Sequence, residues 1–173
     1  MANAMTLIAS STVGSGGTNF IDFTSIPSSY TDLVLKLSCR VSPTGSVQDV
    51  GIRFNGDTAS NYQYRELVGT GASVSSGTGT GANHNTIGNP SDSTASTFSN
   101  VEIYIPNYAS SNQKSSSVDA VVENNTASTN VQMRLQAWKW SGTAAISTIR
   151  VYDPTGGNLL QYSSAYLYGI VKS

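Results

Sequence analysis

Hydrophobic residues recur at every second position along most of this chain, and nowhere does the three-to-four-residue spacing of a helix take over. The clearest run is Asp32 to Arg40. Leu33, Leu35, Leu37 and Cys39 share one face, and Val34, Lys36, Ser38 and Arg40 share the other. A strand with one apolar face lies half buried on a core. Similar runs are Asn19 to Thr24 with Phe20 and Phe23, Asp49 to Phe54, and Tyr62 to Val68. In Phe98 to Ile105 the inward row is Val101, Ile103 and Ile105. Val118, Ala120 and Val122 form the next inward row, followed by Val131, Met133, Leu135 and Ala137 with Gln132, Arg134 and Gln136 opposite. Ile149 and Val151 precede a Tyr-rich last strand, Leu159 to Val171.

Turn signals separate the runs. Asn55-Gly56 is the strongest short hairpin signal, because both positions tolerate positive φ. Asp153-Pro154-Thr155-Gly156-Gly157 is a second turn, and Pro106 ends a strand. The spacing predicts nine or ten strands in an all-β fold. With no crossover helix for a parallel sheet, it is an antiparallel β-sandwich of jelly-roll type. The domain occupies 18–173, after a flexible Ser/Gly-rich arm at 1–17. Between Gly69 and Asn100 almost nothing is apolar, so 69–97 is expected as a long exposed loop, with room for a short strand near Ala72 to Ser75.

Composition narrows the function. Of 173 residues only 11% are charged, against about 25% in a typical soluble domain. Ser, Thr, Gly and Asn fill the space. Such surfaces suit packing into assemblies, since few charges are desolvated on docking. The net charge of −1 leaves no electrostatic footprint for nucleic acid. No run reaches membrane-span length, and the first residues carry no basic signal-peptide region. One cysteine, Cys39, leaves no internal disulfide, and its period-two setting makes it a small core residue.

Candidate chemistry is sparse. The one histidine, His84, falls in the expected loop, which orients no imidazole for a Ser-His-Asp triad, and no Gly-x-Ser-x-Gly elbow is present. One His and one Cys in distant segments exclude the usual zinc motifs. Asn55, Asp57 and Asn61 make an ordinary turn as well as they make a calcium loop. Glu66, Glu102 and Glu123 show no pairing that glycoside hydrolysis needs. The Gly69 to Gly81 stretch lacks the Gly-Lys-Ser/Thr ending of a phosphate-binding loop. The expectation is a non-enzyme with no metal and no cofactor.

Trp138 and Trp140 remain. If alternation holds from Val131, both stand on the polar face with Gln132, Arg134 and Gln136, as an exposed apolar pair. That pair serves a subunit contact or a sugar-stacking platform; a β-bulge near Ala137 would bury one of them instead. Arg134, Tyr166 and Tyr168 join the two tryptophans as candidate interface residues.

Three segments resemble small virion proteins of tailed phages of marine bacteria and cyanobacteria. They are Phe54-Asn55-Gly56-Asp57-Thr58-Ala59-Ser60-Asn61-Tyr62, Phe23-Thr24-Ser25-Ile26-Pro27-Ser28-Ser29-Tyr30-Thr31-Asp32-Leu33, and Ser164-Ala165-Tyr166-Leu167-Tyr168-Gly169-Ile170. The resemblance implies a virion component without catalytic residues, made in the host cytoplasm. Capsid decoration proteins and tail-fibre or tail-tip domains are both similar. With no heptad stalk in the sequence, the expectation is a decoration or cement protein on the capsid surface. It would be a homotrimer bound to the major capsid protein, without nucleic acid or membrane. The alternative is a receptor- or glycan-binding tail domain.

Overall fold

The computed structural model describes residues 5–45, 47–123 and 131–171. Its regular structure is strand throughout, in twelve strands and two antiparallel sheets. The strands are β1 (Met5–Thr12), β2 (Phe20–Phe23), β3 (Asp32–Ser38), β4 (Gln48–Phe54), β5 (Tyr62–Gly69), β6 (Val74–Gly81), β7 (His84–Gly88), β8 (Asn100–Ile105), β9 (Lys114–Val122), β10 (Gln132–Trp140), β11 (Ile149–Tyr152) and β12 (Ser164–Ile170). The larger sheet runs β1-β12-β3-β8-β9-β10-β5-β6 and the smaller β2-β11-β4-β7.

The order defines the topology. Strands β1-β12-β3-β8 and β2-β11-β4-β7 are the two four-stranded sheets of a jelly roll. The chain wraps as one long hairpin, so β1 meets β12, β2 meets β11, β3 meets β8 and β4 meets β7. Two hairpins are inserted into this frame, β5–β6 and β9–β10, and they extend one sheet past the other. The Asn-Gly turn has the expected geometry, with φ of 51° at Asn55 and 67° at Gly56. It does not close a two-stranded hairpin, because β4 and β5 lie in different sheets; the turn carries the chain from one to the other.

The core lies between the sheets. Leu33, Leu35 and Leu37, Val101, Ile103 and Ile105, and Ala165 and Leu167 face Ile21, Phe23, Val50, Ile52, Phe54, Ile149 and Val151. The inward rows expected for β3, β8, β9 and β11 are the buried ones. Cys39 is buried, and burial pushes its thiol up to about 12, so it stays protonated and inert.

Two boundaries differ from expectation. Met5–Thr12 of the expected arm is paired with β12, from Met5 against Ile170 to Thr12 against Ser164; its first four residues lie outside the described residues. Backbone hydrogen bonds to an existing edge order this segment, although its apolar content is low. The expected loop at 69–97 contains β6 and β7. In β6 the glycines alternate, and a Cβ at Gly77 or Gly79 would lie 2.9 Å from the Glu66 carboxylate or 2.7 Å from the Tyr64 ring. Low apolar content there reflects side chains of β5 lying over the strand, not an absence of structure. The rest of that segment is tied down by Arg40, whose guanidinium donates to the carbonyls of Ser91, Ser93, Thr94 and Thr97 at 2.7–3.1 Å.

Candidate docking surface

Strand β10 decides which residues are available at the surface. Its alternation is unbroken, and its pairing with β5 and β9 shows no bulge. Trp138 and Trp140 do share a face with Gln132, Arg134 and Gln136, but that polar face is the interior one. Trp138 is 1% exposed and Trp140 3%. The two tryptophans therefore offer no surface contact, which corrects the sequence expectation. The row expected inside is outside: Met133, Leu135 and Ala137 face solvent.

The reason is volume. Two indoles on one face fill more of the inter-sheet space than Met133, Leu135 and Ala137 could, and tryptophan gains most by burial. Across the register Trp140 lies beside Tyr62 and Trp138 beside Tyr64, so an aromatic row continues into β5. His84, buried on β7, stacks on Trp138 with ring centroids 4.4 Å apart and planes 8° from parallel, and Tyr62 meets it edge-on at 4.9 Å. Neither ring nitrogen of His84 has a hydrogen-bond partner among the described residues, and burial pushes its pKa down to about 3. It is a neutral aromatic plate.

Most polar groups of the same face find partners indoors, while Gln136 Oε1 and Trp138 Nε1 have none among the described residues. Arg134 Nη1 lies 3.5 Å from Asp49 and 3.9 Å from Glu66. Gln136 Nε2 donates to Glu66 at 3.1 Å and to the Asn85 carbonyl at 3.0 Å. Burial raises the Asp49 carboxyl above its usual range, against the pull of Arg134. Arg134 thus belongs to an inter-sheet network that carries the polar residues of β10 into the interior. Trp140 Nε1 donates to Asp57 at 2.7 Å. Burial works to raise the Asp57 carboxyl, but hydrogen bonds from Asn61, Trp140 and the Ala59 amide hold it below its usual range. Asp57 therefore turns both carboxylate oxygens to protein donors, with Asn61 Nδ2 donating to one of them. Lys114 is buried, with its ammonium donating to the carbonyls of Ser110, Asn112 and Thr143 near the Trp140 ring. Burial lowers its pKa.

The opposite face of the large sheet presents the surface. Register places Val121, Met133, Gly69 and Val74 in one row across β9-β10-β5-β6, then Asp119, Leu135, Leu67 and Ser76, then Ser117, Ala137, Arg65 and Thr78, then Ser115, Lys139, Gln63 and Thr80. Leu67, Met133, Leu135 and Val74 are between 54 and 80% exposed. A shallow trough of about 670 Å³ runs over Leu67, Leu135 and Ala137, flanked by Arg65, Ser76 and Thr78. Beside it, Arg65 and Lys139 are cations with no carboxylate partner among the described residues. At the other end of the sheet Tyr166 is outward and exposed and Tyr168 half-buried, flanking Lys36, which bridges to Glu102 at 2.8 Å.

Of the five candidate interface residues, Tyr166 and Tyr168 lie on the outer face, and Trp138, Trp140 and Arg134 lie inside. Sequence reasoning missed Leu67, Met133, Leu135 and Val74. The available signal was bulk: in Gln132 to Trp140, the face with two tryptophans is the larger one. Among the described residues no three His, Cys, Asp or Glu side chains gather to hold a metal ion. Compared with known proteins, the chain matches no family model, no curated protein and no solved structure.

Proposed function

We propose that this protein is a virion structural subunit that works by docking on other protein subunits, as a decoration or cement protein bound to an assembled phage shell. The observation that carries the reading is the outward apolar strip of Leu67, Met133, Leu135 and Val74 on a surface otherwise poor in charge. Exposed apolar patches of this kind mark protein contacts. The jelly roll, a fold used by shell and lectin domains alike, adds an analogy at fold level only, and the three phage-like segments supply the setting. The mechanism is mass action: a protein that binds only the assembled shell stabilises it. Trp138 and Trp140 are interior, so the sugar-stacking platform that would favour a tail receptor is not at the surface.

The test is the copy number of this protein in purified particles, by quantitative mass spectrometry against the major shell protein, with particle melting in its presence and absence. The expected result is a number comparable to the shell subunits and earlier melting without it. Particles that carry a few copies, or melt identically without it, overturn the reading.

A further inference from the structure

Strand β6 ends the large sheet and, among the described residues, pairs only with β5. A free edge presents a row of amides and carbonyls that templates another strand, and proteins ordinarily blunt such edges with charges, proline or a bulge. The opposite edge, β1, has an irregularity between Leu7 and Ala9. β6 has no such device: Val74-Ser75-Ser76-Gly77-Thr78-Gly79-Thr80-Gly81 contains no charge and no proline and keeps unbroken register with β5.

Its side chains add a second reason. On the inner face Gly77 and Gly79 lie beneath Glu66 and Tyr64, which reach across β6 toward the edge. On the outer face Ser76 and Thr78 are small beside their neighbours Leu67 and Arg65. A strand added at β6 would therefore meet side chains of β5 on both faces, as well as the backbone of β6.

We propose that β6 receives an extended segment of a partner protein by strand addition. The segment carries apolar side chains at the Val74–Ser76 end and carboxylates at the Thr78–Thr80 end. Charge selects this occupant. Leu67, Leu135 and Met133 lie in the first two rows; in the next two lie Arg65, on the strand beside β6, and Lys139, one strand further in, both without a carboxylate partner among the described residues. Asp119, the acidic residue of those outer rows, is on β9, away from the edge, and Glu66, which reaches toward the edge on the inner face, is held by Arg134 and Gln136. Pairing β6 with a second copy would place Arg65 and Lys139 on one continuous face with their own duplicates and bring no carboxylate to them. The inference rests on the docking function above and names its partner chemistry.

The probe is a synthetic extended peptide with valine at alternate positions and aspartates toward one end, beside a copy with lysine replacing aspartate. Binding is read by fluorescence anisotropy at two salt concentrations and by amide hydrogen exchange. Expected are selective protection of the β6 amides and weaker binding at high salt. Arg65→Glu should lose about tenfold in affinity for the aspartate peptide and gain for the lysine peptide. Arg65 is exposed, so unchanged far-UV circular dichroism and melting separate this loss from misfolding. Equal binding of both peptides, protection elsewhere than β6, no binding, or β6 protection that grows with protein concentration alone overturns the proposal; the last result means a second copy. With purified particles the two readings part. If wild type and Arg65→Glu bind alike, strand addition at β6 fails and docking stands; if neither binds, docking itself fails.

Discussion

Trp138 and Leu135 stand three positions apart on one strand and on opposite sides of the sheet. Truncating the first should leave a cavity between Tyr62, His84 and the network around Gln136. We expect Trp138→Ala to cost about 3–5 kcal/mol and Leu135→Ser to stay within about 0.5 kcal/mol, both read by urea unfolding; the reverse order would mean that β10 is turned over. His84 gives a pH signature. In the unfolded chain its ring takes up a proton near pH 6.5, whereas the folded, buried ring resists it down to about pH 3. Below 6.5 the unfolded state therefore holds the extra proton, and stability falls as pH falls, by about 1 kcal/mol per pH unit. The raised Asp49 carboxyl acts in the opposite sense, because the folded chain takes that proton first. The histidine contribution is isolated by difference: unfolding curves of wild type and His84→Gln should run parallel above pH 7 and diverge below 6.5. The sequence concealed His84, because its neighbours are Asn and Gly and nothing local reveals that Trp138 will cover it.

At the scale of elements, the strands with pure apolar rows were legible and those with mixed rows were not. Leu33, Leu35 and Leu37 in β3, opposite Lys36 and Ser38, and Val101, Ile103 and Ile105 in β8 admit one orientation only. β10 carries hydrophobic residues on both faces, and its orientation is settled by β5 and β7, which no local pattern reports. Most of β6 was invisible for another reason: its burial is supplied by Tyr64 and Glu66 from β5, so its own residues show no alternation of hydrophobicity, only of glycine. Gly79→Val should destabilise by about 1–3 kcal/mol through overpacking against Tyr64. Tyr64→Ser should recover much of that loss, as a double-mutant cycle would show. The segment after β7 depends on Arg40 instead. Arg40→Met removes charged donors from four carbonyls and should cost about 2–3 kcal/mol, with proteolytic cleavage appearing between Ser91 and Thr97.

For the whole molecule, the jelly-roll wrap joins the first strand to the last and so requires long-range contacts before any sheet is complete. Refolding should take milliseconds to seconds rather than microseconds, followed by the fluorescence of the two buried indoles; a microsecond phase carrying the full amplitude would contradict this order of assembly. Sandwich and jelly roll followed from turn spacing and the absence of helical periodicity, although twelve strands stand where nine or ten were expected. The inserted hairpins did not, since nothing in the sequence distinguishes a strand of the frame from one that extends it. The pairing of Met5 with Ile170 has a practical side. Polypeptide joined directly before β1 or directly after β12 leaves from one corner, seven or six strand spacings from β6, or about 34 and 29 Å. Cargo joined at Met5 or Ile170 thus starts away from the proposed docking edge, and a short tether between these two strands would allow circular permutants opened elsewhere, for example in the turn between β5 and β6.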